Sequence, residues 1–141
     1  MVIVDTDVLV KCLQDNKACK NEVTHLLEMQ AGVLTPIQIA EVNTHALSEE
    51  LPLINAFFDL FKLKSFDRKS AELAGEFMQQ YKPYYEFLTI SDCLVAALAS
   101  INGFEIYTLN PKHFPMTEVK LYQKSIEALK LKTKERLFNL Q

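Results

Sequence analysis

Glycine is scarce in this chain, three in 141 residues, and no serine- or proline-rich run occurs. Little room is left for a flexible linker, so the length fits a single domain large enough for a real core. No stretch approaches the roughly 20 apolar residues needed to span a bilayer. The first residues begin directly with a strand pattern and lack the basic segment of a secretory signal, so a cytoplasmic protein with no membrane partner is expected. Cysteine is sparse and odd in number. Cys12, Cys19 and Cys93 form no C-x-x-C pair and no known metal spacing, which argues for reduced, buried thiols over a disulfide or zinc role. No internal repeat is present.

Positive charge is also in short supply over most of the chain. Met1 to Val119 holds 9 Lys and Arg against 16 Asp and Glu, a net −7. From Lys120 to Gln141 the balance reverses, 6 against 2, a net +4. An acidic body is a poor surface for coating nucleic acid non-specifically. It does not exclude an enzyme that meets phosphates through a metal, because the ion brings the positive charge. The basic tail, residues 123–141, places Ile126, Leu129, Leu131, Leu137 and Phe138 among lysines and reads as a helix with a solvated face.

What is present begins at the first residues. Val2-Ile3-Val4 is a short apolar run that ends in Asp5-Thr6-Asp7, the pattern of a strand buried on both faces. Open α/β sheets bind ligands beyond the carboxyl ends of their strands, where Asp5 would stand. Thr6 or Asp7 can cap a short helix to about Leu13, and Lys17 to Gln30 repeats apolar residues at helical spacing until Ala31-Gly32. Val33-Leu34 occupies the place of a second strand. Thr35-Pro36-Ile37-Gln38 combines an N-cap, a first-position proline and a capping-box glutamine, and puts Glu41 in the second turn of the helix it starts.

Leu51 to Lys62 is an aromatic-rich amphipathic helix whose Phe57, Phe58 and Phe61 suit core or dimer packing. Leu63 to Phe66 suits a strand, and Asp67 can cap a helix reaching about Tyr81. Thr89 to Ile101 is apolar on all sides after its polar start, a buried helix with Asp92 at its third position. Phe104 to Thr108 and Val119 to Tyr122 read as further strands. Alternation throughout predicts an α/β domain with a mainly parallel sheet of four to five strands flanked by helices.

Asp5, Glu41 and Asp92 therefore stand at comparable positions, 36 and 51 residues apart, and a right-handed wrap would aim all three at one sheet edge. Carboxylates without histidine or thiol partners suit hard cations such as Mg²⁺ or Mn²⁺. Such a site can activate water against a phosphodiester. Taken singly, Asp5 could be a helix cap, Glu41 a surface residue and Asp92 a helix-start acid; the chemical reading rests on the set.

Four segments carry a resemblance: Val2 to Leu9, Thr35 to Val42, Ile90 to Ala97 and Tyr107 to Phe114. In this order and spacing, over about residues 1–122, they resemble the motifs of PIN domains, and more narrowly the VapC-type ribonuclease toxins of toxin–antitoxin pairs. The resemblance implies a metal-dependent endoribonuclease acting on RNA, a small cognate antitoxin as partner, and a homodimer. It implies that Asp5, Glu41 and Asp92 coordinate the metal and that Thr6 supports the site. Asn110 falls where a fourth acid is frequent, His113 where an acid often precedes the phenylalanine, and Leu109 where an arginine is frequent. Asp7 is a candidate substitute for the missing fourth acid or a helix cap, and His45 a neighbour of Glu41 on the same helix.

Two rivals follow from the same residues. Asp5-x-Asp7 after an apolar strand also resembles the haloacid-dehalogenase-type phosphatases, although that chemistry needs a paired acid downstream and Asp92 has none. A PIN fold whose site is impaired at Asn110 could instead serve as a nucleic-acid-binding or dimerisation module.

Overall fold

Val2–Val4 forms strand β1, and its alternating side chains divide the molecule into two halves. A computed structural model describes residues 1–140; Gln141, the end of the expected tail, lies outside the described residues. Elements follow in the order β1, α1 (Thr6–Leu13), α2 (Lys17–Glu28), β2 (Gly32–Leu34), α3 (Pro36–Thr44) and α4 (Leu51–Phe58). Then come β3 (Lys62–Leu63), α5 (Arg68–Tyr81), α6 (Ile90–Asn102), β4 (Glu105–Tyr107), β5 (Lys120–Leu121) and α7 (Gln123–Asn139). Single 3₁₀ turns occupy Ser48–Glu50 and Pro111–His113. The described residues form one five-stranded sheet in the order β3-β2-β1-β4-β5, every pairing parallel.

Side chains on a strand point alternately to opposite faces, and the cores obey that rule. Ile3, Val33 and Ile106 pack on one face against Ala74 and Phe77 of α5 and Val95, Leu98 and Ala99 of α6. Val2, Val4, Leu34 and Tyr107 pack on the other against Leu9 of α1, Val23 and Leu26 of α2, and Ile54 and Phe58 of α4. This double burial is why β1 reads as an unbroken apolar run. All strands being parallel, their carboxyl ends share an edge, and Asp5, Thr35 and Thr108 follow three of them directly.

Several local expectations shift. Asp5 itself caps α1, its carboxylate accepting the Thr6 N–H at 3.0 Å, so neither Thr6 nor Asp7 is the cap. Helix α2 ends at Glu28, and Gln30 takes the left-handed conformation (φ 54°) that the sequence assigned to a glycine. Gly32 instead opens β2. A Cβ there would lie 3.0 Å from Phe61 Cδ1 and 3.2 Å from Leu27 Cδ2, so glycine is required by close approach and not by a turn. Helix α4 stops at Phe58, four residues early, and the chain turns at Asp59–Phe61 into β3, which occupies Lys62–Leu63 in place of Leu63–Phe66. Phe58 and Phe61 are buried, Phe57 meets Phe61 edge to face at 5.3 Å, and the aromatic stripe is core. The three cysteines are buried and free. No helix among the described residues is long and apolar enough to cross a membrane.

The packing at Gly32 generates a test. Gly32→Ala should destabilise the fold by about 1–3 kcal/mol through overpacking, and Phe61→Leu in the same chain should recover part of that loss. Urea unfolding of the two single variants and the double variant measures both; an unchanged midpoint for Gly32→Ala refutes the close approach.

Candidate active site

Beyond the carboxyl edge of the sheet, Asp5, Thr6, Asp7, Glu41, Asp92, Asn110 and His113 line one cavity of about 210 Å³. Each arrives by a different local device. Asp5 is held at the end of β1 by its backbone N–H, which donates to the Tyr107 carbonyl at 2.9 Å. Glu41 rides on α3, whose start is set by a capping arrangement at Thr35. The Thr35 hydroxyl accepts the Ile37 N–H at 3.2 Å, and Gln38 Oε1 accepts both the Thr35 N–H at 2.8 Å and its hydroxyl at 2.6 Å. Asp92 sits at the third position of α6, where its backbone N–H donates to the Thr89 hydroxyl and its carboxylate accepts the Thr89 N–H. Lys82 anchors the preceding loop by donating to the Glu86 and Leu88 carbonyls.

The structure thus brings together all three acids of the expected trio with Thr6, Asp7 and Asn110. His45 is exposed at the end of α3 and is not among the residues lining the cavity. His113 does line it, with Nδ1 3.6 Å from Asp92 Oδ2 and its ring 5.8 Å from that of Phe87.

Asp7 has a different role from the helix cap the sequence allowed. Its Oδ2 accepts the Thr108 hydroxyl at 3.2 Å, the Leu109 N–H at 3.0 Å and the Asn110 side-chain amide at 3.1 Å. Its Oδ1 is buried with no hydrogen-bond partner. Thr108, which sequence reasoning passed over, is the pivot. Fully buried at the end of β4, its hydroxyl lies 2.9 Å from Asp5 Oδ2 as well as 3.2 Å from Asp7 Oδ2, and accepts the Asn110 N–H at 3.1 Å. A threonine two residues before Asn110, where the strand ends, was the only available signal.

Electrostatics follow from this crowding. Burial, then the Asp7 carboxylate, push Asp5 up to about 7; the Thr108 and Thr6 hydrogen bonds oppose the shift and Glu41 adds to it. Glu41 is raised by partial burial first, then by Asp92 and Asp7, while His113 pulls it down. Thr6 also lowers Glu41, although the Thr6 hydroxyl closes no hydrogen bond of normal geometry. Perturbed acids grouped in a cleft are a mark of functional sites.

The donor set is oxygen from carboxylates, a hydroxyl and an amide, which suits a hard divalent cation. An orphaned, buried carboxylate oxygen at Asp7 and the mutual repulsion of Asp5, Glu41 and Asp92 are both relieved by positive charge. Among the described residues no three acids already converge closely enough to grip one ion directly. Mg²⁺ is commonly held by one or two carboxylates with waters retained, so the spacing is compatible with it.

The chain is similar to proteins of known fold. Ribonuclease VapC10 of Mycobacterium tuberculosis is 25% identical over 118 residues, covering 84% of this chain and 89% of the relative. The structure of VapBC2 from Rickettsia felis bound to a promoter DNA fragment matches with a TM-score of 0.74 at 18% identity, over 86% of this chain and 98% of the other. FitAcB from Neisseria gonorrhoeae matches at 0.70 and 20% identity, over 86% and 96%. The PIN domain family model matches residues 2–117, which leaves the dehalogenase-type phosphatase reading without support. A five-stranded parallel sheet with acids gathered at its carboxyl edge, matched by that model over most of its length, shows that this chain belongs to the PIN domain family.

Proposed function

We propose that this protein is a divalent-metal-dependent endoribonuclease, the toxin of a toxin–antitoxin pair, acting in the cytoplasm. The observation that carries the reading is the convergence of Asp5, Asp7, Glu41 and Asp92, spread over 88 positions of the chain, on one cavity. Its relatives supply the substrate class and the partner: one is described as a ribonuclease, and another was solved as a toxin–antitoxin complex from Klebsiella pneumoniae. RNA is accordingly the substrate and a small antitoxin the partner, and the resemblance to VapC-type toxins adds a homodimer to the proposal. Residues 1–122 form the nuclease domain, with 123–141 as a basic tail of the same domain.

Asp5, Glu41 and Asp92 would hold Mg²⁺ or Mn²⁺ partly through retained waters, and the ion would supply a Lewis acid for the phosphodiester and lower the pKa of the attacking water. The protein's part is orientation. The Thr6 N–H fixes one Asp5 oxygen and the Thr108 hydroxyl the other, so the carboxylate faces the cavity in one rotamer. Asn110 brings no charge of its own, but its amide turns Asp7 toward the same space. In this reading Asp7 replaces the fourth acid that many family members carry at the Asn110 position. His113, with Nδ1 3.6 Å from Asp92 Oδ2, adds a ring nitrogen at the rim.

The purified protein should cut RNA with Mg²⁺ or Mn²⁺, stop in EDTA, and lose about 100-fold or more in rate as Asp5→Asn, Glu41→Gln or Asp92→Asn. Parental rates in both aspartate variants would sink the assignment, and RNA binding without cutting would favour the impaired binding module. Thr108→Val, nearly isosteric, should fold and weaken Mn²⁺ binding about 10–100-fold, because it frees the Asp5 and Asp7 carboxylates to rotate; titration calorimetry reads this independently of turnover.

A third outcome concerns pH. The folded chain keeps Asp5 protonated up to about 7, whereas the unfolded chain releases that proton near 3.8. In EDTA this contribution to stability is complete below about pH 4 and is lost as pH rises to about 7. Asp5→Asn removes the loss. Its stability relative to the parent should therefore be higher at pH 8 than at pH 4.5, by urea unfolding in EDTA; a gap independent of pH would refute the raised value.

A further inference from the structure

Helix α7 begins directly after β5 and is tied to the strand that supports the site. Ser125 is fully buried, its hydroxyl accepting the Thr108 N–H at 2.9 Å and donating to the Ile106 carbonyl at 3.3 Å. Two turns on, the Lys132 ammonium donates to the Leu109 carbonyl at 3.0 Å. These bonds lay α7 alongside the loop that carries Asn110 out of β4. Between helix and loop runs a groove of about 210 Å³ whose walls include Asn110, Pro111, Lys112, Lys132 and Arg136. Asn110 also lines the acidic cavity, so the groove and the candidate active site share a wall.

The groove is cationic beside a cavity that is anionic. Among the described residues Lys112, Lys132 and Arg136 form no ion pair with a carboxylate. Lys112 is poised over the Phe87 ring at 5.5 Å; of the two acids of α7, Glu127 is engaged by Lys124, and Glu135 lines a different cavity beside Lys134. An RNA backbone approaching the four acids is repelled until a metal neutralises them, and these cations provide attraction beside the site independently of it. Arginine in particular offers a planar fork matched to phosphate oxygens. The helix that supplies two of the three cations starts at Gln123, beyond the last family-matched residue at 117. One wall of the groove, Leu109 to Lys112, therefore lies within the matched portion and the other, α7, beyond it.

We propose that the groove between α7 and the Leu109–Lys112 loop holds the phosphates of an RNA strand next to the bond that is cut, with Lys112, Lys132 and Arg136 touching them. This rests on the ribonuclease reading for its substrate class. An acidic segment of a protein partner is the competing occupant, and the test separates the two.

A cleavage-deficient Asp92→Asn chain is titrated with fluorescently labelled single-stranded RNA at several KCl concentrations, following anisotropy. Adding Lys132→Glu and Arg136→Glu should raise Kd at least tenfold and flatten the plot of log K against log salt by roughly 1.4, about 0.7 for each phosphate no longer neutralised. Because Lys132 also ties down α7, Lys112→Gln with Arg136→Gln should show the same direction with that tether intact. Lys62→Glu with Lys64→Glu, an equal charge change at the opposite sheet edge, should alter Kd far less. Unchanged Kd and slope in both groove pairs, or an equal loss in the opposite-edge pair, overturns the proposal. So does loss of binding to an acidic peptide with RNA binding untouched, which would assign the groove to a protein partner. Failure of the parent chain to cut RNA would sink the ribonuclease reading instead, while the salt slope still reports on the groove.

Discussion

One hydroxyl proton stands between two carboxylates at the centre of this protein. Thr108 is within hydrogen-bond distance of both Asp5 and Asp7, yet it has a single proton to give, so one acid is always left less satisfied. Around that shortage the fold arranges dipoles: the Thr6 and Leu109 N–H groups and the Asn110 amide. Dipoles orient anions without cancelling their charge. The geometry of the cavity is therefore held while the crowding that pushes Asp5 up to about 7 is not relieved.

Holding such a site demands strong support elsewhere. Strand β1 meets that demand by lying in the middle of the sheet, paired with β2 and β4 and buried against helices on both faces. Ile3, Val4, Val8 and Leu9, on either side of the Asp5–Asp7 segment, have no exposed surface. The acids are thus strung between two stretches of fully buried chain, and their spacing is set by packing.

Much of this was legible in the order of residues. The apolar run into Asp5, the Thr35-Pro36 cap and the Thr89–Asp92 start are local signals, and they located three of the four acids and the parallel architecture. What could not be read locally depended on partners far along the chain. Asp7 looked like a helix cap because its real donors lie 101 to 103 residues away. Thr108 looked like the end of an ordinary strand. Gly32 looked like a helix stop because the Phe61 ring that excludes a side chain there is not visible from its neighbours in sequence. The left-handed residue after α2 is Gln30 and not Gly32, which likewise follows from how α2 must turn into β2.

The long span between Asp7 and its donors also bears on synthesis. A ribosome delivers the first two acids almost at once, but the loop that orients them emerges only after β4, more than a hundred residues later. Until then β1 lacks its neighbour on one side, and the Thr108, Leu109 and Asn110 donors that orient Asp5 and Asp7 do not yet exist. Pairings of such high sequence separation form late because a long loop must close first. The acidic cavity thus forms only once β4 and the loop after it are in place. Asp5 and Asp7 are made about a hundred residues before the loop that completes their site.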